Sequence, residues 1–235
     1  MTTTTPTTPT TPTTPSTSTT SATLGHLALH YRPGDYEAAR LLFELLGAHL
    51  EENGPEGFCS IVFDRGAWNY VDNVMYLAQA TSAQLALEEA VVEGLHVGTD
   101  EEDPRLVAYR EQRDSSPESL THVGIRYASF DDLERAVVAL QAATGPGGPL
   151  EGRTKVTRYR ARAGQDPTID ERMATSPIFR DDEDGTSFAD YGVQVFVRTD
   201  VCVAGLFALG QTIELDYFFE PAFETIPDFA RRRKK

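Results

Sequence analysis

One pattern occurs twice in this chain, and it constrains the fold more than any other feature. Residues 25–31 read Gly-His-Leu-Ala-Leu-His-Tyr and residues 121–127 read Thr-His-Val-Gly-Ile-Arg-Tyr, so His26 falls on His122 and Tyr31 on Tyr127. Each segment alternates small or polar residues with apolar ones, the period of a strand buried on one face. Each leads into a helical stretch, with Asp35 and Asp131 at its start, where a carboxylate favours the exposed N–H groups and the helix dipole. In the first stretch Tyr36, Ala39, Leu42, Phe43 and Leu46 form one apolar stripe of helical period. Downstream, residues 73–79 can be laid on residues 211–217, which sets Tyr76 on Glu214. The duplication thus matches two histidines on the first strands but supplies one carboxylate on the last strands.

The remaining periodicity completes two similar halves. The first is predicted as strand 24–31, helix 35–47, a short strand near residues 49–52, strand 58–64 and strand 72–79. A helix over 82–94 follows, with Leu85, Leu87, Ala90 and Val91 among its apolar positions. Residues 97–118 are polar and acidic, contain Pro104 and Pro117, and read as a linker. The second half is predicted as strand 120–127, helix 131–143, a Gly/Pro turn at 145–149, then strands 153–160, 192–199 and 211–218. A polar insertion spans 161–190, and its acidic run at 181–184 lacks the ligand spacing of a calcium loop. The expected class is α+β: two βαβββ modules, residues 23–96 and 119–219, forming a curled mixed sheet around a cavity, with the helices on the outer face.

Composition narrows the surroundings. The first 22 residues are nearly all Thr, Pro and Ser, cannot build a core and are expected to be disordered; they lack the pattern of a secretory signal. The net charge is −15, and the five basic residues from Arg231 to Lys235 leave −20 for the rest, which would repel nucleic acid. Residues 220–235 read as a basic, solvated tail. No stretch approaches the roughly 20 apolar residues of a membrane span. Cys59 and Cys202 fall in apolar runs outside any paired motif and read as buried free thiols, which suits a cytoplasmic protein.

Strand alternation assigns faces. His26, Ala28 and His30 share one face of the first strand; His122, Gly124 and Arg126 share one face of its counterpart; Thr212, Glu214 and Asp216 share one face of the last. The opposite, apolar faces would pack on the helices, leaving a cavity lined by His, Arg and Glu. Such groups are costly to bury unless a metal or ligand satisfies them, and two histidines with one carboxylate bind a divalent metal while leaving positions open.

This arrangement resembles the vicinal oxygen chelate superfamily of glyoxalases, extradiol dioxygenases and bleomycin-resistance proteins, over roughly residues 23–219. It rests on the doubled element order, on His26 and His122, and on the segment Ile213-Glu214-Leu215. The resemblance implies a metal held by His26, His122 and Glu214, with Tyr76 where some members carry a fourth ligand, a pattern closer to the three-ligand dioxygenases. His30 and Arg126, further along the same faces, are the acid/base candidate and the anchor for an anionic oxygen. The implied activity is Fe(II)-dependent dioxygenation of a small catechol-like substrate, with Mn, Zn or Ni also open as the metal. A glyoxalase-like lyase or isomerase and a metal-free binding protein are the alternatives. The expected partner is a small molecule, with neither nucleic acid nor membrane; a homodimer is compatible with the family.

Overall fold

The structure, a computed structural model, describes residues 25–64, 66, 73–181 and 190–220. The Thr/Pro tail, most of the acidic run at 181–184 and the basic end therefore lie outside the described residues. Strand β1 (His26–Tyr31) leads into helix α1 (Tyr36–Leu45), then β2 (His49–Glu51), β3 (Cys59–Val62) and β4 (Val74–Gln79). Helices α2 (Ser82–Gly94) and α3 (Pro104–Ser115) connect to the second half. There β5 (His122–Arg126) precedes α4 (Phe130–Thr144), β6 (Thr154–Tyr159), α5 (Pro167–Thr175), β7 (Gly192–Thr199) and β8 (Gln211–Phe218).

The strands form two four-stranded mixed sheets of identical order, β1-β4-β3-β2 and β5-β8-β7-β6. First and last strands of each module run parallel, and the other pairs are antiparallel. The expected single curled sheet is instead two sheets. Among the described residues they are tied by a backbone pair from β1 to the loop before β8: His30 N–H donates to the Val203 carbonyl and Val203 N–H to the His30 carbonyl, both at 2.8 Å. The internal alignment holds at the level of register. Ala28 faces Tyr76 across β1 and β4, and Gly124 faces Glu214 across β5 and β8.

Burial explains why these segments adopt these forms. Leu29 and Tyr31 are buried on β1, Ile125 on β5, and Ile213 and Leu215 on β8. They pack with the α1 stripe of Ala39, Leu42, Phe43 and Leu46 and with Leu133, Val137 and Leu140 of α4 in one core spanning both modules. Each large apolar side chain removed from water contributes about 1.5–3 kcal/mol.

Local chemistry overrides the reading at three places and refines it at a fourth. The segment taken as a linker holds α3, because Pro104 occupies the first helical turn and Asp103 accepts the Arg105 N–H at 2.8 Å; this proline starts a helix. The insertion holds α5 for the same reason, with Asp166 capping ahead of Pro167 while Ile169 and Met173 are buried. Asp35 precedes α1 without capping it; its carboxylate grips Arg153 of the second module at 2.8 and 2.9 Å. In α4 the cap is Ser129, which accepts the Asp132 N–H, and Asp131 sits in the first turn. Both cysteines are free and buried, and among the described residues no helix is long and apolar enough to cross a membrane.

Candidate metal centre

Because β5 and β8 are parallel neighbours, His122 lies opposite Thr212, and Glu214 is one step on along the same face. The two side chains meet diagonally: His122 Nε2 is 2.8 Å from Glu214 Oε2. Each is fixed from behind. His122 Nδ1 is 2.8 Å from the Leu120 carbonyl, which can only accept, so Nδ1 carries a hydrogen. Gln194 Nε2 donates to Glu214 Oε1 at 2.5 Å from the neighbouring strand β7. Glu214 and Gln194 are both buried, whereas Gly124 between His122 and Arg126 is exposed, and a Cβ built on it would meet nothing within 4 Å. A polar pair is thus held rigidly beside open room.

The lone pairs decide what this pair can hold. With hydrogen on Nδ1, a neutral His122 presents a bare Nε2 to a carboxylate oxygen. Two acceptors at that distance need something positive between them, a proton or a metal ion. An imidazole tied through Nδ1 to a carbonyl and a carboxylate steadied by an amide are the outer contacts that metal ligands use. Asp216, two residues beyond Glu214, adds a second carboxyl whose buried Oδ1 has no hydrogen-bond partner. Burial first, and then the adjacent Glu214 charge, raise the Asp216 carboxyl to about 8, while Arg126 opposes the shift. His122 and Glu214 are thus two groups of the kind that ligate a divalent cation, with the Asp216 carboxyl beside them.

The other expected residues are placed differently. His26 is exposed at the start of β1, its ring tilted on Tyr76 with centroids 4.9 Å apart, and Tyr76 in turn contacts Phe58 at 5.5 Å. This His–Tyr pair occupies the same diagonal in the first sheet that His122 and Glu214 occupy in the second. His26 and His122 border one cavity of about 390 Å³, lined also by Leu27, Ile61, Phe63 and Val123. Among the described residues, however, no three His, Cys, Asp or Glu side chains are grouped to hold a metal ion. His30 is half-buried and its backbone forms the seam to Val203. Arg126 is exposed opposite Asp216 and borders a separate groove with Tyr127 and Arg135. Four residues along a strand is about 13 Å, so Arg126 and His30 stand well away from the histidines that open their strands. Gln194 and Asp216 are the residues that sequence reasoning left without a role. Gln194 was visible as an amide inside the apolar run Val193–Val197, a position that needs a polar partner.

No family model and no curated protein matches this chain.

Proposed function

We propose that this protein is a metal-dependent enzyme of the vicinal oxygen chelate kind acting on a small chelating molecule. His122 and Glu214 are its central metal ligands, and His26, which borders the same cavity as His122, is the third. One observation carries this reading: His122 Nε2 confronts Glu214 Oε2 at 2.8 Å while both outer atoms are already engaged. Fe(II) is the preferred ion for a His/carboxylate set with open positions; bound there, it would supply sites for two adjacent substrate oxygens and for dioxygen, and the redox chemistry of ring cleavage. The remaining work falls to the chain. Gln194 keeps Glu214 oriented and Gly124 leaves room for the substrate. Asp216, whose carboxyl is raised to about 8, lies beside Glu214 and replaces the distant His30 as the proton-transfer candidate.

The tilted contact of His26 with Tyr76, which in turn meets Phe58, favours a second reading, a metal-free protein that holds a small aromatic compound against these rings. Metal analysis of protein purified without oxygen decides between them. The expected result is about one divalent ion per chain, lost in His122→Ala; metal near zero in both proteins overturns the enzyme. Oxygen uptake with catechols then separates a dioxygenase from a lyase or isomerase using the same ligands.

A further inference from the structure

In a chain of net charge −15, one cleft is bordered by twice as many basic as acidic side chains. It measures about 730 Å³, within the range of small-molecule pockets, and shares no lining residue with the His26/His122 cavity. Arg32, Arg110, Arg113, Arg153, Lys155 and Arg198 border it, with Glu88, Asp114 and Asp200 as the acids.

Most of these charges are already matched. Arg110 holds both oxygens of Glu102 at 2.7 and 2.9 Å. Arg153 bridges Asp35 and Asp200. Arg32 lies 3.6 Å from Asp200 and 3.8 Å from Glu88, whose oxygens also accept the N–H groups of Phe207 and Ala208. One corner is left in excess. Asp114 is shared between Arg198 and Lys155. Arg113 donates to the Leu209 carbonyl, has no carboxylate partner among the described residues, and its Nε is buried without a hydrogen-bond partner. Three cations facing one carboxylate leave a local charge of +2. Burial destabilises the charge here: desolvation lowers the Arg113 pKa against an opposing effect of Tyr109, with Arg110 adding to the lowering, and desolvation with Arg113 lowers that of Arg198.

We infer that this corner is a binding site for a compact phosphate-type dianion, held by Arg113, Arg198 and Lys155. A phosphate monoester carries about −1.5 to −2 near neutral pH, which matches the excess, and guanidinium forks suit its oxygens. A polyanion such as nucleic acid is disfavoured by the −20 carried by the chain outside its last five residues and by the acids on the cleft walls.

The test is calorimetric titration of EDTA-treated full-length protein, so that the metal reading plays no part. The probes are inorganic phosphate and phenyl phosphate, with chloride at matched ionic strength as the control. Saturable 1:1 binding is expected, weakened tenfold or more in Arg113→Gln and several-fold in Lys155→Gln. Lys155 is a largely exposed residue whose replacement leaves the core intact, so it decides the variant arm if Arg113→Gln fails to fold. Binding of inorganic phosphate alone assigns the site to the free ion. Equal or tighter binding of phenyl phosphate assigns it to a phosphorylated small molecule. Heats matched by chloride, no saturation in the wild type, or unchanged affinity in Lys155→Gln overturns the site.

Discussion

At the scale of single residues, the site is governed by where protons reside. The Leu120 carbonyl holds the hydrogen on His122 Nδ1 and leaves Nε2 facing Glu214, where a proton or a metal ion must lie between them. Glu214→Gln keeps the shape but removes the charge, so it should lower metal occupancy alongside His122→Ala; equal occupancy in Glu214→Gln excludes this glutamate as a ligand. Asp216 gives a pH signature. Its carboxyl is raised to about 8 by burial and by Glu214, whereas an unfolded aspartate titrates near 3.9. Between these values the unfolded chain has released the proton that the folded chain retains, so stability falls as pH rises from about 4 to about 8. In EDTA-treated protein, Asp216→Asn should flatten that slope, measured as urea midpoints across the range. A slope unchanged by the substitution would refute the assignment. Glu214 was legible in the sequence because a carboxylate interrupts an apolar strand at the duplicated position. The role of Gln194 was not, because strand pairing, and not chain order, brings it from β7 to Glu214; Asp216 was legible as a neighbour of Glu214 on one strand face, but its burial was not.

Among the elements, α2 shows how a helix can carry an apolar sequence and still bury a charge. Leu87 is 59% exposed, while Glu88 is 6% exposed. A Thr81/Gln84 capping box fixes the start of the helix, and the orientation that follows turns Glu88 onto the short 3-10 turn Phe207–Leu209. Its two oxygens accept the N–H groups of Phe207 and Ala208 at 3.0 and 2.6 Å. Glu88→Leu strands these donors and should cost about 1–3 kcal/mol, whereas Leu87→Ala should stay within about 0.5 kcal/mol. Chemical denaturation measures both, and equal losses would contradict this account. The turn feeds β8 through Gly210 at φ +68°, where a larger residue would be strained by the backbone and would have to displace the Arg113 guanidinium, 2.9 Å from an added Cβ. Strands were readable because a period of two has few rivals in short apolar runs. The helices α3 and α5 were missed because their opening prolines look like breakers until an aspartate is seen capping ahead of each.

For the whole molecule, the decisive feature is the seam between two similar halves. Arg153 of the second module joins Asp35 of the first to Asp200, and Tyr127 reaches the Leu46 carbonyl at 2.7 Å. Its sequence counterpart Tyr31 bonds Gly57 within its own module, so matched residues serve different ends. A double-mutant cycle of Asp35→Asn and Arg153→Met should give a coupling of about 1 kcal/mol, kept small because Arg153 is 34% exposed; additivity would mean the pair does not hold the modules together. By itself the sequence determined the two modules, the order of their strands along the chain and the alignment of Tyr76 with Glu214 as equivalent positions, because periodicity and duplication are properties of neighbours along the chain. Only the tertiary structure decided that the halves build two sheets, that His122 meets Glu214 while His26 rests on Tyr76, and that cations from distant segments collect in one cleft of an acidic protein. Those outcomes depend on which faces meet, and side-chain reach across packed surfaces is not written in the spacing of residues.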